Sequence, residues 1–222
     1  MNKRAIISID GPAGAGKTSI AKIVSKRLGY DYIDTGAMYR AISWKAFRKK
    51  IDLKAKQQLI NMVKGTRIEL KDRVGKLKIC LDGKNVTNKI RNRRFAESAS
   101  ILGTIPEVRE HLLKIQRRLG SSGGIVVEGR DIGTVVFPRA DYKFYLDASI
   151  KERALRKYRE LKAKGQKVGL AELEKAIRSR DRRDRTRGVA PLKRAPDAIV
   201  IDSTDMSKKE VVEFILKRIE KK

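Results

Sequence analysis

An α/β fold, a five-stranded parallel sheet flanked by helices, is predicted by two features of this 222-residue sequence. Five short apolar runs alternate with segments of helical periodicity, and a glycine-rich loop joins the first run to the first helix. The runs are Ala5–Asp10, Asp31–Asp34, Gly124–Glu128, Tyr142–Asp147 and Ala198–Asp202. Near-continuous apolar strands suit a sheet covered on both faces, and strands alternating with helices favour parallel pairing.

Taken in order, the helix after the first run spans Lys17–Leu28 and stops at Gly29, a residue suited to the left-handed position that ends a helix. Ser149-Ile150-Lys151-Glu152 has the form of a capping box and opens a helix carrying Ala154, Leu155, Tyr158 and Leu161 on one face. Ser207-Lys208-Lys209-Glu210 is a second box, leading into the amphipathic set Val211, Val212, Ile215 and Ile219. Residues 66–87 break the rhythm. Ile68 and Leu70 alternate with polar residues before Arg73-Val74-Gly75-Lys76, and Leu77, Ile79 and Leu81 do so after it. Period-two alternation around a glycine-containing turn predicts an antiparallel hairpin projecting from the main sheet.

Composition narrows the class. Hydrophobic residues make up 41%, enough for a core, and the length suits one compact domain with an insertion. No run approaches the roughly 20 apolar residues of a membrane span. The start, Met1-Asn2-Lys3-Arg4, lacks the long apolar segment of a signal peptide, so a cytoplasmic protein is expected. Cys80 is the only cysteine and is expected to be a small buried hydrophobe in a strand. His111 is the only histidine, so no histidine pair exists for catalysis or metal binding. The net charge of +28 raises nucleic acid as a partner, yet the basic residues are spread along the chain among 26 acids. No zinc-finger spacing, aromatic platform or basic tail accompanies them. A solvated surface is expected instead, and no nucleic-acid partner.

Gly11-Pro12-Ala13-Gly14-Ala15-Gly16-Lys17-Thr18 matches G-x-x-x-x-G-K-[ST] at every fixed position, between a strand and a helix. Glycines let successive N–H groups turn inward as an anion nest, and the helix N-terminus adds partial positive charge. Lys17 would reach the β- and γ-phosphates of a nucleotide, and the Thr18 hydroxyl would ligate Mg²⁺; Ser19 completes the donor set. The loop implies NTP binding. The absence of an N-K-x-D motif and the shortness of the chain favour a kinase over a GTPase or a motor.

The acceptor side follows from position. Asp34-Thr35-Gly36-Ala37-Met38-Tyr39-Arg40 closes the second strand, and Glu128-Gly129-Arg130-Asp131-Ile132-Gly133 closes the third. Ligands of open α/β sheets bind beyond the strand C-termini. Arg178–Arg187 holds six arginines in ten residues. Such crowding makes sense if phosphates enter among the guanidinium groups, which bind them bidentately, the alternative being a solvated basic helix.

These stretches, from Ile9 to Lys17, Asp34 to Arg40, Glu128 to Pro138 and Arg180 to Leu192, resemble the bacterial cytidylate kinases. The Gly-Arg-Asp-Ile-Gly-Thr-Val-Val-Phe-Pro run is the most specific, and the similarity runs from residue 5 to about 216. The resemblance implies a P-loop nucleoside-monophosphate-kinase fold in a single domain. Its core would span about 1–34, 100–149 and 188–222, with an acceptor-binding insertion at about 35–99 that contains the hairpin and an Arg-rich lid at about 150–187. It implies ATP and Mg²⁺ as cofactors, and CMP and dCMP as acceptors, for a monomer. It assigns cytosine to Ser100, Arg109 and Asp131, and the sugar hydroxyls to Arg180 and Asp184. The acceptor phosphate falls to Arg40, Arg130 and Arg187, with Thr35 and Tyr39 in the same pocket. Thr35 stands where the family often has serine, which keeps the hydroxyl. Lys17, Arg130 and Arg187 are the expected catalytic groups. UMP, AMP or a non-nucleotide such as shikimate stay open as acceptors, as do an ATP-switched nucleic-acid binder and a regulatory subunit without an acceptor.

Overall fold

A computed structural model describes residues 4–71 and 77–220. The elements run β1 (Ile6–Asp10), α1 (Lys17–Leu28), β2 (Asp31–Asp34), α2 (Thr35–Arg48), α3 (Lys56–Lys64), β3 (Ile68–Lys71), β4 (Lys78–Leu81) and β5 (Lys84–Asn85). They continue with α4 (Arg93–Leu102), α5 (Pro106–Leu119), β6 (Ile125–Gly129), β7 (Tyr142–Asp147), α6 (Ile150–Lys162), α7 (Leu170–Thr186), β8 (Ile199–Asp202) and α8 (Lys208–Glu220).

The main sheet is parallel throughout, in the order β2-β6-β1-β7-β8. Ile7 and Ile9 of β1 are fully buried and pack on one face with Ile20 and Val24 of α1 and Val212 and Ile215 of α8. Ile125 and Val127 of β6 pack on the other with Ile132, Val136 and Leu113 of α5. The five predicted runs are these five strands, with ends displaced by one residue at β1, β6 and β8. The expectation of full burial fails at β8. It is one edge of the sheet, with no strand beyond it among the described residues, and Val200 is 44% exposed.

Both N-terminal caps form. Ser207 and Glu210 exchange hydrogen bonds, the Ser207 N–H reaching Glu210 at 2.8 Å. At α6 only half of the box forms: Ser149 Oγ accepts from the Glu152 N–H, while the Glu152 carboxylate accepts from Arg156 at 2.8 Å. No helix among the described residues is long and apolar enough to cross a membrane.

The hairpin is β3–β4, in the register Ile68↔Leu81 and Leu70↔Ile79; its turn at Arg73–Lys76 and the start Met1–Lys3 lie outside the described residues. A third strand, β5, extends it through Leu81↔Lys84. Cys80 is half-buried rather than buried, because Ile79 and Leu81 take the core-facing positions. This subsheet packs with α2, α3 and α5 around Met38, Leu59, Val86 and Leu112. Helices α6 and α7 form a hairpin with a small core of Ala154, Leu161, Leu173 and Ile177. The chain leaves β1 toward β2 and leaves β6 toward β7, on opposite sides of β1. The ends of β1 and β6 therefore form the topological switch point, where α/β sheets open a crevice.

Candidate active site

The glycine loop leaves β1 at that switch point. Gly11 has φ +148°, and a Cβ there would lie 1.9 Å from the Leu146 carbonyl oxygen, so the first loop position excludes a side chain. Gly16 (φ +93°) delivers the chain into α1, whose N-terminus begins at Lys17. Lys17 is buried and its ammonium donates to the Pro12 carbonyl at 2.6 Å. Burial, with Arg130 close by, pulls that ammonium down to about 7. Thr18 lies beside Glu128, the buried carboxylate near the end of β6.

Across the crevice, Thr35 Oγ1 donates to the Glu128 carbonyl at 2.7 Å, fixing the start of α2 to β6. Asp34 caps α2 by accepting from the Ala37 N–H at 2.8 Å and pairs with Arg40 at 2.7 Å. Two further clusters hold the remaining expected residues. In one, Asp131 takes Arg109 on one oxygen and Arg187 on the other, the latter at 3.3 Å, and the Arg109 guanidinium lies 5.9 Å from the Tyr39 ring centroid. Burial pushes the Tyr39 phenol up to about 12. In the other, Asp184 accepts from Ser100 Oγ at 2.9 Å and from Arg130 Nε at 3.0 Å, with Arg180 Nε at 3.9 Å. Burial alone would raise the Asp184 carboxyl, but Arg130, Arg180 and Arg187 hold it below its ordinary value. Burial, together with Arg130, lowers the Arg180 guanidinium to about 10, and its buried Nε has no hydrogen-bond partner among the described residues. Five guanidinium groups (Arg40, Arg109, Arg130, Arg180, Arg187) thus face three carboxylates (Asp34, Asp131, Asp184). Lys17 and Glu128 beside them offset one another, and the surplus of two makes the crevice a trap for polyanions.

The cytidylate kinase family model matches residues 7–221. The chain belongs to the cytidylate kinase family. It is 46% identical to a cytidylate kinase of Pelotomaculum thermopropionicum over 99% of this chain and 97% of that one. It is 48% identical to a cytidylate kinase of a Geobacillus species, with 95% and 94% covered. Among solved structures, an uncharacterized protein of Eubacterium ventriosum superposes with a TM-score of 0.52 at 14% identity, covering 99% of this chain and 100% of that chain, which supports the fold alone.

With the family in hand, the structure adds groups around the crevice that the motifs do not single out. Glu128 joins Thr18, Tyr32 and the neighbourhood of Lys17, and burial, reinforced by Asp34, raises its carboxyl above the ordinary value. The signal available in sequence was a carboxylate near the end of an otherwise apolar run. Asp10 is the same case on β1. Its two oxygens accept the N–H groups of Ile132 and Gly133 at 2.8 and 2.7 Å, holding the loop that carries Arg130 and Asp131. Burial raises the Asp10 carboxyl from an ordinary 3.8 to about 6. The folded state therefore binds this proton more tightly than the unfolded chain, so the contribution to stability is full below about 3.8 and is lost as pH rises through about 6. Comparing wild type with Asp10→Asn by denaturant unfolding from pH 7 to pH 4 should show the difference moving in favour of wild type by up to about 3 kcal/mol. A difference independent of pH would contradict the shift.

Proposed function

We propose that this member of the family transfers the γ-phosphoryl group of ATP to CMP or dCMP, giving the diphosphate and ADP, in the pyrimidine nucleotide metabolism of the cytoplasm. The observation that carries the proposal is the arginine–carboxylate network of Arg130, Asp131, Asp184 and Arg187 standing opposite a phosphate loop. The protein acts as a monomer on small nucleotides. Residues Gly11–Ser19 hold the donor, with Lys17 turning from the Pro12 carbonyl to the phosphates. A hydroxyl and a buried carboxylate suit a hard cation, and Mg²⁺ binds typically through one or two protein groups plus substrate phosphates. Among the described residues no larger cluster of metal-binding side chains exists. Thr18, with Glu128 behind it, would hold the ion, which supplies charge neutralisation at the phosphates.

An oxygen of the acceptor phosphate forms the new P–O bond while the bond from the γ-phosphorus to the ADP oxygen breaks. That nucleophile is already anionic near neutral pH, so no general base is required. The work left to the protein is positioning and electrostatic stabilisation. Arg40, Arg130 and Arg187 grip the acceptor phosphate, Arg180 and Asp184 take the sugar hydroxyls, and Ser100, Arg109 and Asp131 meet the cytosine edge beside Thr35 and Tyr39. Cytosine offers an amino donor beside N3 and O2 acceptors, which a carboxylate, a guanidinium and a hydroxyl can satisfy. A coupled assay with ATP and Mg²⁺ across CMP, dCMP, UMP and AMP tests this. CMP and dCMP should be the preferred acceptors, and a clear preference for AMP would overturn the assignment.

A further inference from the structure

Ala13 of the phosphate loop has both peptide groups tied to the α6–α7 hairpin. Its N–H donates to Asp181 Oδ1 at 2.9 Å, and its carbonyl accepts from Arg153 Nη1 at 2.8 Å. The same Arg153 Nη1 donates to Asp181 Oδ2 at 2.5 Å, which closes a three-membered network between loop, α6 and α7. Arg153 and Asp181 are 3% and 6% exposed, so water competes little for these bonds. The loop also lies directly on α6: a Cβ at Gly14 would stand 3.0 Å from the Arg153 carbonyl oxygen.

Asp181 sits three residues before Asp184 on α7, so the two carboxylates share one face about 4.5 Å apart along the axis. Asp184 gathers Ser100, Arg130 and Arg180 on the acceptor side, and Arg187 follows at the end of the same helix. One rigid element thus contacts the donor loop with one carboxylate and organises the acceptor cluster with the next. Arg153 neutralises Asp181, which allows a carboxylate to stand beside a loop that must accept phosphates.

We infer that Asp181, held by Arg153, is a positioning residue that couples donor-loop geometry to acceptor binding through α7. The inference rests on the two-nucleotide function proposed above. A shift of α7 that accompanies acceptor binding at Asp184 and Arg187 reaches Ala13 through Asp181, and the reverse holds by thermodynamic reciprocity.

The test is calorimetric titration of CMP with and without saturating Mg²⁺ and a non-hydrolysable ATP analogue. In wild type the donor analogue should tighten CMP binding by a factor within the roughly 5–150-fold range of such couplings. In Asp181→Asn and in Arg153→Lys that factor should fall below about two, while CMP affinity without donor stays within about threefold. Steady-state assays should agree: the KM for CMP should fall with rising ATP in wild type and not in the variants. Lowered melting temperatures with an unchanged coupling factor would reduce the network to a structural tie and overturn the inference. A factor of one in wild type would overturn it whatever the variants do, including variants too unstable to titrate. If the acceptor panel selects another monophosphate, the function proposed above fails, and the same titrations with that monophosphate still decide the coupling.

Discussion

Arg187→Ala is expected to lower kcat/KM for CMP by roughly 10²–10³. The side chain is 4% exposed and sits where α7 ends. Its Nε donates to the Ala190 carbonyl at 2.7 Å and one terminal nitrogen meets Asp131, so the guanidinium is held in place before any nucleotide arrives. Ala190 itself adopts φ +47°, a left-handed conformation costly for alanine, and it supports that anchoring carbonyl. A donor fixed in advance pays no reorganisation when charge develops between two phosphates, which is why its loss is expressed in rate. Stability should suffer less, because Asp131 keeps Arg109 as a buried partner. Arg187→Lys should recover little, since an ammonium cannot bridge two acceptors in one plane. Steady-state kinetics at saturating ATP decide the matter, and a decrease within about threefold would remove Arg187 from the transition state.

The fold was legible where one chain segment suffices to specify it. Lys17–Leu28 and Tyr142–Asp147 match the expected bounds because a strand-to-loop switch, a terminal glycine or a buried apolar run each acts locally. Strand β5 was not read from the sequence, although Asp82-Gly83 precedes it, takes positive φ at both positions and makes the tight turn that Asp-Gly favours. That signal is two residues long and followed by the polar pair Lys84-Asn85, so alternation alone does not reveal it. Side-chain networks are another matter. Ser100 meets Asp184 across 84 positions, and Arg153 meets Asp181 across 28. In sequence the aspartates of α7 merge into a generally basic stretch; only the packing of α7 against the loop and α4 separates them into one carboxylate on Ala13 and Arg153 and another among Ser100, Arg130 and Arg180. The bridge from Ser100 to Asp184, and from there to Arg130, also joins residues that the family resemblance assigns to base, sugar and phosphate. In this structure those three assignments share one charge network.

Asp184→Ala should therefore be strongly destabilising. Asp184 is 2% exposed and stands between Arg130 and Arg180, whose side chains are 17% and 24% exposed. Removing it leaves two neighbouring guanidinium groups without their shared counter-charge and Ser100 Oγ without its acceptor. Breaking a buried pair typically costs 3–5 kcal/mol, and partial solvent access to both arginines places the expected loss at the lower end, about 3 kcal/mol. Asp184→Asn keeps an oxygen for Ser100 but not the charge, so it should fall between the two proteins. An added anion provides the discriminating control. Inorganic phosphate should stabilise Asp184→Ala more than wild type in denaturant unfolding, because it can bridge the guanidinium groups that the carboxylate left behind. A loss below about 1 kcal/mol, or equal stabilisation of both proteins by phosphate, would mean that Arg130 and Arg180 find water instead, and that the acceptor cluster is not organised around this residue.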